Sequence, residues 1–177
     1  MIPAAFFAIL AISRLGAVHT VVFGGFAPAS LAQRIDASKP RAVMTASCGI
    51  EGAKGPTDYK PFIEGALEKS SHKPEKVIIW EREQLKWDSF REEEGERNWQ
   101  SLVKSAKDRG LKAEAVPVKS GDGIYIIYTS GKQSFMICEC KKPLPRYMLR
   151  HCMRTSISRL HCFNRPGVFC CSRAHAH

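Results

Sequence analysis

The sequence predicts an α/β fold with a mostly parallel sheet and helices on both of its faces. Short apolar runs typical of strands alternate along the chain with longer runs of helical periodicity, as in repeated βαβ units. The 177 residues suit a single domain. Residues 1–131 carry 18 Lys+Arg against 16 Asp+Glu, a net of +2, whereas residues 132–177 carry nine against one, a net of +8. Ordinary globular composition therefore ends near residue 131.

The first predicted helix covers residues 2–15 and is apolar on all sides. Pro3 is suited to a first turn, and Gly16 stands where such a helix would end. Arg14 interrupts the apolar run well short of about 20 residues, so the run predicts neither a membrane span nor a secretory signal. We expect a buried helix that other parts of the protein must cover.

The same alternation of strands and helices continues to residue 128. Residues 81–97 are dense in charge and are predicted as a surface insertion, in which the acids Glu92, Glu93, Glu94 and Glu96 are solvated. His19 is predicted as a hydrogen-bonded histidine in a buried strand, and His72 as solvent-facing. The other predicted elements are strands at 18–23, 42–45, 77–80 and 124–128, an extended run at 115–118, and helices at 28–38, 59–69 and 99–107.

A strand-to-turn motif stands at the end of this region. The strand at 124–128 runs directly into Thr129-Ser130-Gly131, and such turns present hydroxyl and backbone N–H groups to phosphates. The turn should continue with more small residues and then open a helix. Here it meets Lys132 and a segment rich in cysteine, histidine and arginine, which divides the chain into a domain at 1–131 and a tail at 132–177.

Several separated blocks of the first 131 residues resemble short-chain acyl-CoA synthetases, the AMP-forming acetate/propionate–CoA ligases. The blocks occur in that family's order and lean toward its propionate-type branch. They are Leu10-Ala11-Ile12-Ser13-Arg14-Leu15-Gly16-Ala17-Val18-His19-Thr20-Val21-Val22-Phe23-Gly24-Gly25-Phe26, Thr45-Ala46-Ser47-Cys48-Gly49-Ile50-Glu51, Tyr59-Lys60-Pro61, residues 70–79, and Tyr128-Thr129-Ser130-Gly131.

The resemblance implies a partial AMP-binding domain that begins inside the N-terminal domain of an adenylating enzyme. It implies ATP, Mg²⁺ and coenzyme A as cofactors and acetate or propionate as substrate. Thr129, Ser130 and Gly131 would contact the ATP phosphates. Lys54 is the weaker assignment, as a contact to coenzyme A, because Glu51 has the wrong sign at a position that is often Arg.

Gly24-Gly25 would form a turn near the coenzyme channel, or serve only to permit positive φ. The family's phosphate loop continues through Thr-Thr-Gly, a variable residue, Pro, Lys and Gly, none of which follows here. The resemblance therefore assigns no catalytic residue and no metal ligand, and we expect the chain alone to be inactive.

The tail leaves several interpretations open. Six of the seven cysteines lie in it, without the spacing of a known zinc finger. A disordered basic segment, a zinc- or nucleic-acid-binding module, and a gene-model remnant all fit this composition. Because the basic charge belongs to the tail and not to a domain face, no nucleic-acid partner is expected. The family occurs in the cytosol and in mitochondria, so the compartment is left open, and secretion is not expected.

Overall fold

The computed structural model describes residues 2–25, 27–50, 52, 55–128, 135–139 and 167–172, the last two segments as backbone. Helices and strands alternate through most of this range. In chain order they are α1 (Pro3–Arg14), β1 (Val18–Phe23), α2 (Pro28–Ser38), β2 (Ala42–Ala46), β3 (Cys48–Ile50), β4 (Pro56–Asp58), α3 (Lys60–Lys69), β5 (Lys76–Trp80), a 3₁₀ turn (Glu92–Glu94), β6 (Glu96–Asn98), α4 (Trp99–Asp108), β7 (Gly123–Tyr128), β8 (Phe135–Glu139) and β9 (Gly167–Ser172).

Seven of these strands form one sheet in the order β6-β5-β2-β9-β1-β7-β8. The pairs β5/β6, β2/β5 and β1/β7 are parallel. The two remaining strands of this sheet, β8 and β9, are antiparallel to their neighbours. Strand β9 lies between β1 and β2, and β8 pairs with β7 at one edge. A separate hairpin joins β3 and β4. The predicted α/β fold with a parallel sheet is confirmed.

Helices cover both faces of the sheet, as alternate side chains of β2 show. Val43 is fully buried in a cluster with Leu31 of α2 and Ile63 of α3. Its neighbour Met44 packs on the opposite face, in a cluster with Ala5 of α1, because successive side chains of a strand point to opposite faces. Fully burying one large apolar side chain contributes about 1.5–3 kcal/mol. The first cluster consists of Val22, Leu31, Ile35, Val43, Ile63, Ala66, Val77, Ile79 and Trp87.

Helix α1 is buried on its small residues and exposed on its large ones. Ala8 is 2% exposed, whereas Phe6, Phe7 and Leu10 are between 53% and 59% exposed. The small side chains let the helix approach the sheet closely. Among the described residues, the prediction that this helix is buried is therefore correct for one of its faces and wrong for the other.

The prediction of a surface insertion over residues 81–97 is wrong in two places. Trp87 joins the main core at 6% exposure, and Glu96 is 3% exposed in strand β6. Trp87 is held by partners far along the chain, such as Ser47. Glu96 is held by the pairing of β6 with β5 and by its ion pair with Arg91. These contacts override the charge density that indicated solvation. Residues 115–118 form no strand, although the N–H of Val116 donates to the carbonyl of Arg14 at 2.9 Å.

His72 is half-buried rather than solvent-facing, because its loop closes onto the end of α2. Its Nε2 lies 2.8 Å from the carbonyl oxygen of Pro40, and its backbone N–H donates to Asp36 Oδ1 at 2.8 Å. Within the tail, β8 and β9 pair with the sheet, and the rest of residues 132–177 lies outside the described residues.

Candidate functional site

The parallel strands bring several loops to one edge of the sheet. Strands β1, β2, β5, β6 and β7 run in one direction, so their carboxyl ends meet at the same edge. Gly24-Gly25 follows β1, Ser47 follows β2, and Tyr128 ends β7. Open α/β sheets bind ligands in the crevice outside the carboxyl ends of their strands. This edge is therefore the candidate site.

The predicted phosphate contacts Thr129, Ser130 and Gly131 lie outside the described residues, directly after β7 at this edge. The backbone on either side is described, and Tyr128 pairs with Phe135 in an antiparallel register. Strand β8 is thus the next element that the structure describes after β7.

Strand β7 is held beside β1 by more than the backbone ladder. The Thr20 hydroxyl, 1% exposed, donates to the carbonyl of Ile126 at 2.9 Å. The register pairs Thr20 with Ile126 and His19 with Tyr125. A buried hydroxyl of this kind is stable because its hydrogen bond replaces water. The two loops that follow β1 and β7 therefore start from adjacent strands.

Tyr128 connects the start of the phosphate motif to helix α2. The guanidinium of Arg34 lies 5.1 Å from the centroid of the Tyr128 ring, within cation–π range. The Tyr128 hydroxyl donates to the carbonyl of Arg34 at 3.4 Å, and Arg34 Nη1 donates to the carbonyl of Ser30 at 2.9 Å. Sequence reasoning missed this contact because 94 residues separate the partners.

Gly24-Gly25 forms a turn after β1, as predicted, but Gly25 does not have positive φ. A Cβ atom built on Gly25 would collide with the ring of Phe23. Close approach of that aromatic ring is thus the reason for glycine at position 25.

Lys54 and Glu51, the predicted coenzyme A position and its acidic neighbour, belong to the β3–β4 hairpin loop and lie outside the described residues. Gly52 lies between them in the sequence and Gly55 follows Lys54, with φ values of 51° and 76°, in the left-handed region that favours glycine. The hairpin starts two residues after β2, at the carboxyl end of that strand.

Ser47 organises the loops around that hairpin. It is fully buried, and its hydroxyl donates to the carbonyl of Leu85 at 2.6 Å and accepts the N–H of Arg82 at 2.9 Å. Its carbonyl accepts the N–H of Tyr59 at 3.1 Å and the indole N–H of Trp87 at 3.0 Å. The sequence signal that could have identified this role of Ser47 is a small hydroxyl residue directly after a buried strand.

Trp87 and Asp58 complete this support. The indole N–H also lies 3.1 Å from Asp58 Oδ1, which accepts the first N–H of α3 from Lys60 at 2.9 Å. The Lys60 ammonium lies 5.4 Å from the centroid of the Trp87 ring. These contacts fix the end of β4 and the start of α3 to each other.

His19 is a structural residue with an incomplete set of partners. His19 is buried in β1 and hydrogen-bonded to the Ile124 backbone, as predicted, whereas its Nδ1 has no hydrogen-bond partner among the described residues. Burial lowers the pKa of His19, and a hydrogen bond with the Ile124 backbone opposes this in part. Its ring centroid is 6.1 Å from that of Tyr125.

No metal site is visible in the part of the chain that the structure describes, since no three His, Cys, Asp or Glu side chains gather there. No helix within the described ranges is long and apolar enough to cross a bilayer. Burial raises the pKa of the Cys48 thiol, so this buried cysteine is a poor nucleophile.

A parallel sheet with its loops gathered at one edge defines an α/β ligand-binding domain. The chain belongs to the AMP-binding enzyme family, which matches residues 1–131.

The chain is also similar to three curated relatives. It is 47% identical over 132 residues to an uncharacterized protein of Pseudomonas aeruginosa, covering 74% of this chain and 20% of the relative. It is 44% identical to acyl-CoA synthetase short-chain family member B, mitochondrial, of Dictyostelium discoideum, over 74% of this chain and 19% of the relative. It is 40% identical to acetyl-coenzyme A synthetase of Leptospira biflexa, over 74% of this chain and 20% of the relative. The matches to these relatives thus span about a fifth of their length.

Proposed function

We propose that this chain forms the part of a short-chain acyl-CoA synthetase that faces ATP and coenzyme A. The reaction of the whole enzyme joins a carboxylate, acetate or propionate, to coenzyme A and converts ATP to AMP and pyrophosphate. Family membership through Gly131 supports this assignment. The observation that carries it is the parallel β1/β7 pair, which starts the Gly24-Gly25 turn and the phosphate motif side by side.

In this assignment Thr129, Ser130 and Gly131 contact the ATP phosphates, and Lys54 contacts a phosphate of coenzyme A. Hydroxyl and N–H groups held at a sheet edge would stabilise the negative charge that develops on the departing pyrophosphate. Mg²⁺ would accompany ATP and neutralise part of that charge. Removing one such donor costs on the order of 10²–10³ in rate.

The chain by itself is expected to have no ligase activity. The residues after Gly131, which begin with Lys132, do not continue the glycine-, threonine- and lysine-containing phosphate loop that the resemblance implies. We expect no acyl-adenylate when the purified chain is incubated with Mg-ATP and acetate or propionate, as measured by pyrophosphate exchange. Exchange above that of a heat-denatured sample would contradict this expectation.

Nucleotide binding tests the site directly. Replacing both Thr129 and Ser130 by Ala should weaken Mg-ATP binding by about 10²–10⁴-fold, because two hydrogen bonds to a charged group are lost and each contributes about 1.5–3 kcal/mol. Equilibrium dialysis with labelled ATP measures this change. The control is Thr57→Ala, which removes an exposed hydroxyl from β4 of the β3–β4 hairpin. Equal affinity in the double variant and the control would refute the assignment.

Zinc and nucleic acid are not proposed as ligands of the tail. Cys138, Cys170 and Cys171 lie in strands that pair with the sheet, and no described contact favours either ligand. Cys140, Cys152, Cys162 and the tail histidines lie outside the described residues.

A further inference from the structure

The centre of the main sheet contains a slot between two parallel strands. Strand β1 pairs with β7 on one side, and β2 pairs with β5 on the other. In the strand order, β1 and β2 are not neighbours, since β9 lies between them. Strand β9 is thus the connection between the halves β6-β5-β2 and β1-β7-β8 of the hydrogen-bonded sheet.

The register shows how closely β9 follows both walls of the slot. All six residues of β9 pair with β1, from Val18 opposite Ser172 to Phe23 opposite Gly167. Three residues of β9, at positions 169–171, also pair with β2. Strand β9 is antiparallel to both neighbours, so closely spaced and widely spaced pairs of backbone hydrogen bonds alternate along it. An antiparallel pair does not require a crossover connection.

The composition of β9 suits a strand that is covered on both faces. Gly167-Val168-Phe169-Cys170-Cys171-Ser172 has no charged residue, although residues 132–177 carry nine Lys+Arg. Arg165-Pro166 and Arg173 bound this run. Buried strands are short apolar runs of this type, bounded by turn or charged residues.

The walls of the slot require an occupant. Thr20 and Val22 of β1 are each 1% exposed, and Val43 of β2 is fully buried. With β9 removed, the facing N–H and C=O groups of β1 and β2 would lose their partners in the interior of the sheet. Buried backbone groups without partners are strongly unfavourable.

We propose that the slot between β1 and β2 is a strand-binding site, and that Gly167–Ser172 is a ligand that the chain supplies to itself. Binding is antiparallel, through backbone hydrogen bonds to both walls, in the manner of β-strand addition. The backbone ladders supply the affinity and the uncharged run Gly167–Ser172 supplies the specificity, so the same six residues on a separate peptide fill the slot when the chain's own copy cannot.

Hydrogen–deuterium exchange of the full chain tests the first part of the proposal. The amides of residues 18–23, 42–46 and 167–172 should all be protected, and should exchange together. Phe169→Pro should abolish protection at 167–172 and lower it at 18–23 and 42–46, where the amides that face β7 and β5 keep their partners, because proline removes an N–H from a strand with partners on both sides. The control is Ser158→Pro, which changes the tail outside both of its described strands. Exchange of 167–172 in the unmodified chain at the rate of a free peptide would overturn the proposal.

A peptide with the sequence of residues 165–174 tests the second part. Added to the Phe169→Pro chain, it should restore protection at 18–23 and 42–46, whereas a scrambled peptide should not. Failure to restore protection would show that the slot does not bind a separate strand and would overturn the proposal. Protection of 167–172 that disappears on dilution would assign the strand to a second copy, and would also overturn it. Neither readout depends on nucleotide binding.

Discussion

At the scale of single residues, His19 makes the fold sensitive to mild acid. The ring is 8% exposed, and burial disfavours the charged imidazolium. Its folded-state pKa therefore lies below the unfolded value of about 6.5. At a pH between these two pKa values, the unfolded chain binds a proton at His19 that the folded chain does not. The associated stability is fully present above about pH 6.5 and is lost as the pH falls toward the folded-state pKa.

The corresponding prediction compares the chain with His19→Gln at two pH values. The free energy of unfolding should fall between pH 7.5 and pH 5.5 in the unmodified chain, by up to about 1.4 kcal/mol for each pH unit below 6.5. His19→Gln, which does not titrate, should show a smaller fall. Urea titrations monitored by tryptophan fluorescence measure both. An identical pH dependence in the two chains would exclude His19 as its source.

More acidic groups act outside this pH window. A backbone hydrogen bond from His72 lowers the pKa of Asp36, and a side-chain hydrogen bond from Arg41 lowers the pKa of Glu75. Both carboxylates stabilise the fold above their unfolded pKa values of about 4, and this stability is lost as the pH falls through their lower folded values. The comparison between pH 7.5 and 5.5 therefore isolates the histidine from these two groups.

At the scale of elements, one arginine joins β6 to the segment before it and to α3. Arg91 Nη2 lies 2.8 Å from Glu96 Oε1, and the Arg91 backbone N–H donates to Glu96 Oε2 at 2.8 Å. A second carboxylate, Glu64 of α3, lies 2.9 Å from the same guanidinium. The Glu96 side chain is only 4% exposed. Its charge is therefore tolerable only while these donors remain.

Arg91→Ala is expected to lower the free energy of unfolding by about 2–3 kcal/mol, because it leaves a buried carboxylate without its counter-charge. Arg41→Ala is the matched control. Arg41 pairs with Glu75 at 2.7 Å, but both side chains are more than half exposed, so its loss should cost less than about 1 kcal/mol. Chemical denaturation compares the two. A larger loss for Arg41→Ala would contradict this account of β6.

Helices and strands whose formation depends on the pattern of neighbouring residues could be predicted from the sequence. The strand at 18–23 and the helix that begins at Pro28 are formed as predicted, because apolar period and proline placement act over a few residues. The roles of Trp87 and β9 could not be predicted, since each depends on partners far along the chain, and Glu96 is buried through the pairing of β6 with the distant strand β5. At the site, the phosphate motif is a prediction from resemblance, whereas the Arg34–Tyr128 contact is tertiary and has no local signal in the sequence.

At the scale of the whole molecule, α1 presents an apolar surface to solvent. Phe6, Phe7 and Leu10 form this surface, and each is more than half exposed. Contiguous exposed apolar residues of this size favour association. We therefore expect the isolated chain to self-associate as its concentration rises.

Replacing both Phe7 and Leu10 by Lys should reduce that association, because it places two like charges on the exposed face. Sedimentation velocity should show a larger monomer fraction, with the free energy of unfolding changed by no more than about 0.5–1 kcal/mol. The comparison variant is Ala8→Lys on the buried face, 2% exposed, which should destabilise the fold by at least about 2 kcal/mol. An unchanged monomer fraction in the double variant would exclude α1 as the associating surface.

The direction of β9 has a practical consequence for handling the protein. Because Ser172 pairs with Val18, the chain leaves the sheet at the start of β1, on the side away from Gly24-Gly25 and Tyr128. Attachment to a sensor chip directly after Ser172 would therefore leave the candidate edge of the sheet facing the flowing solution.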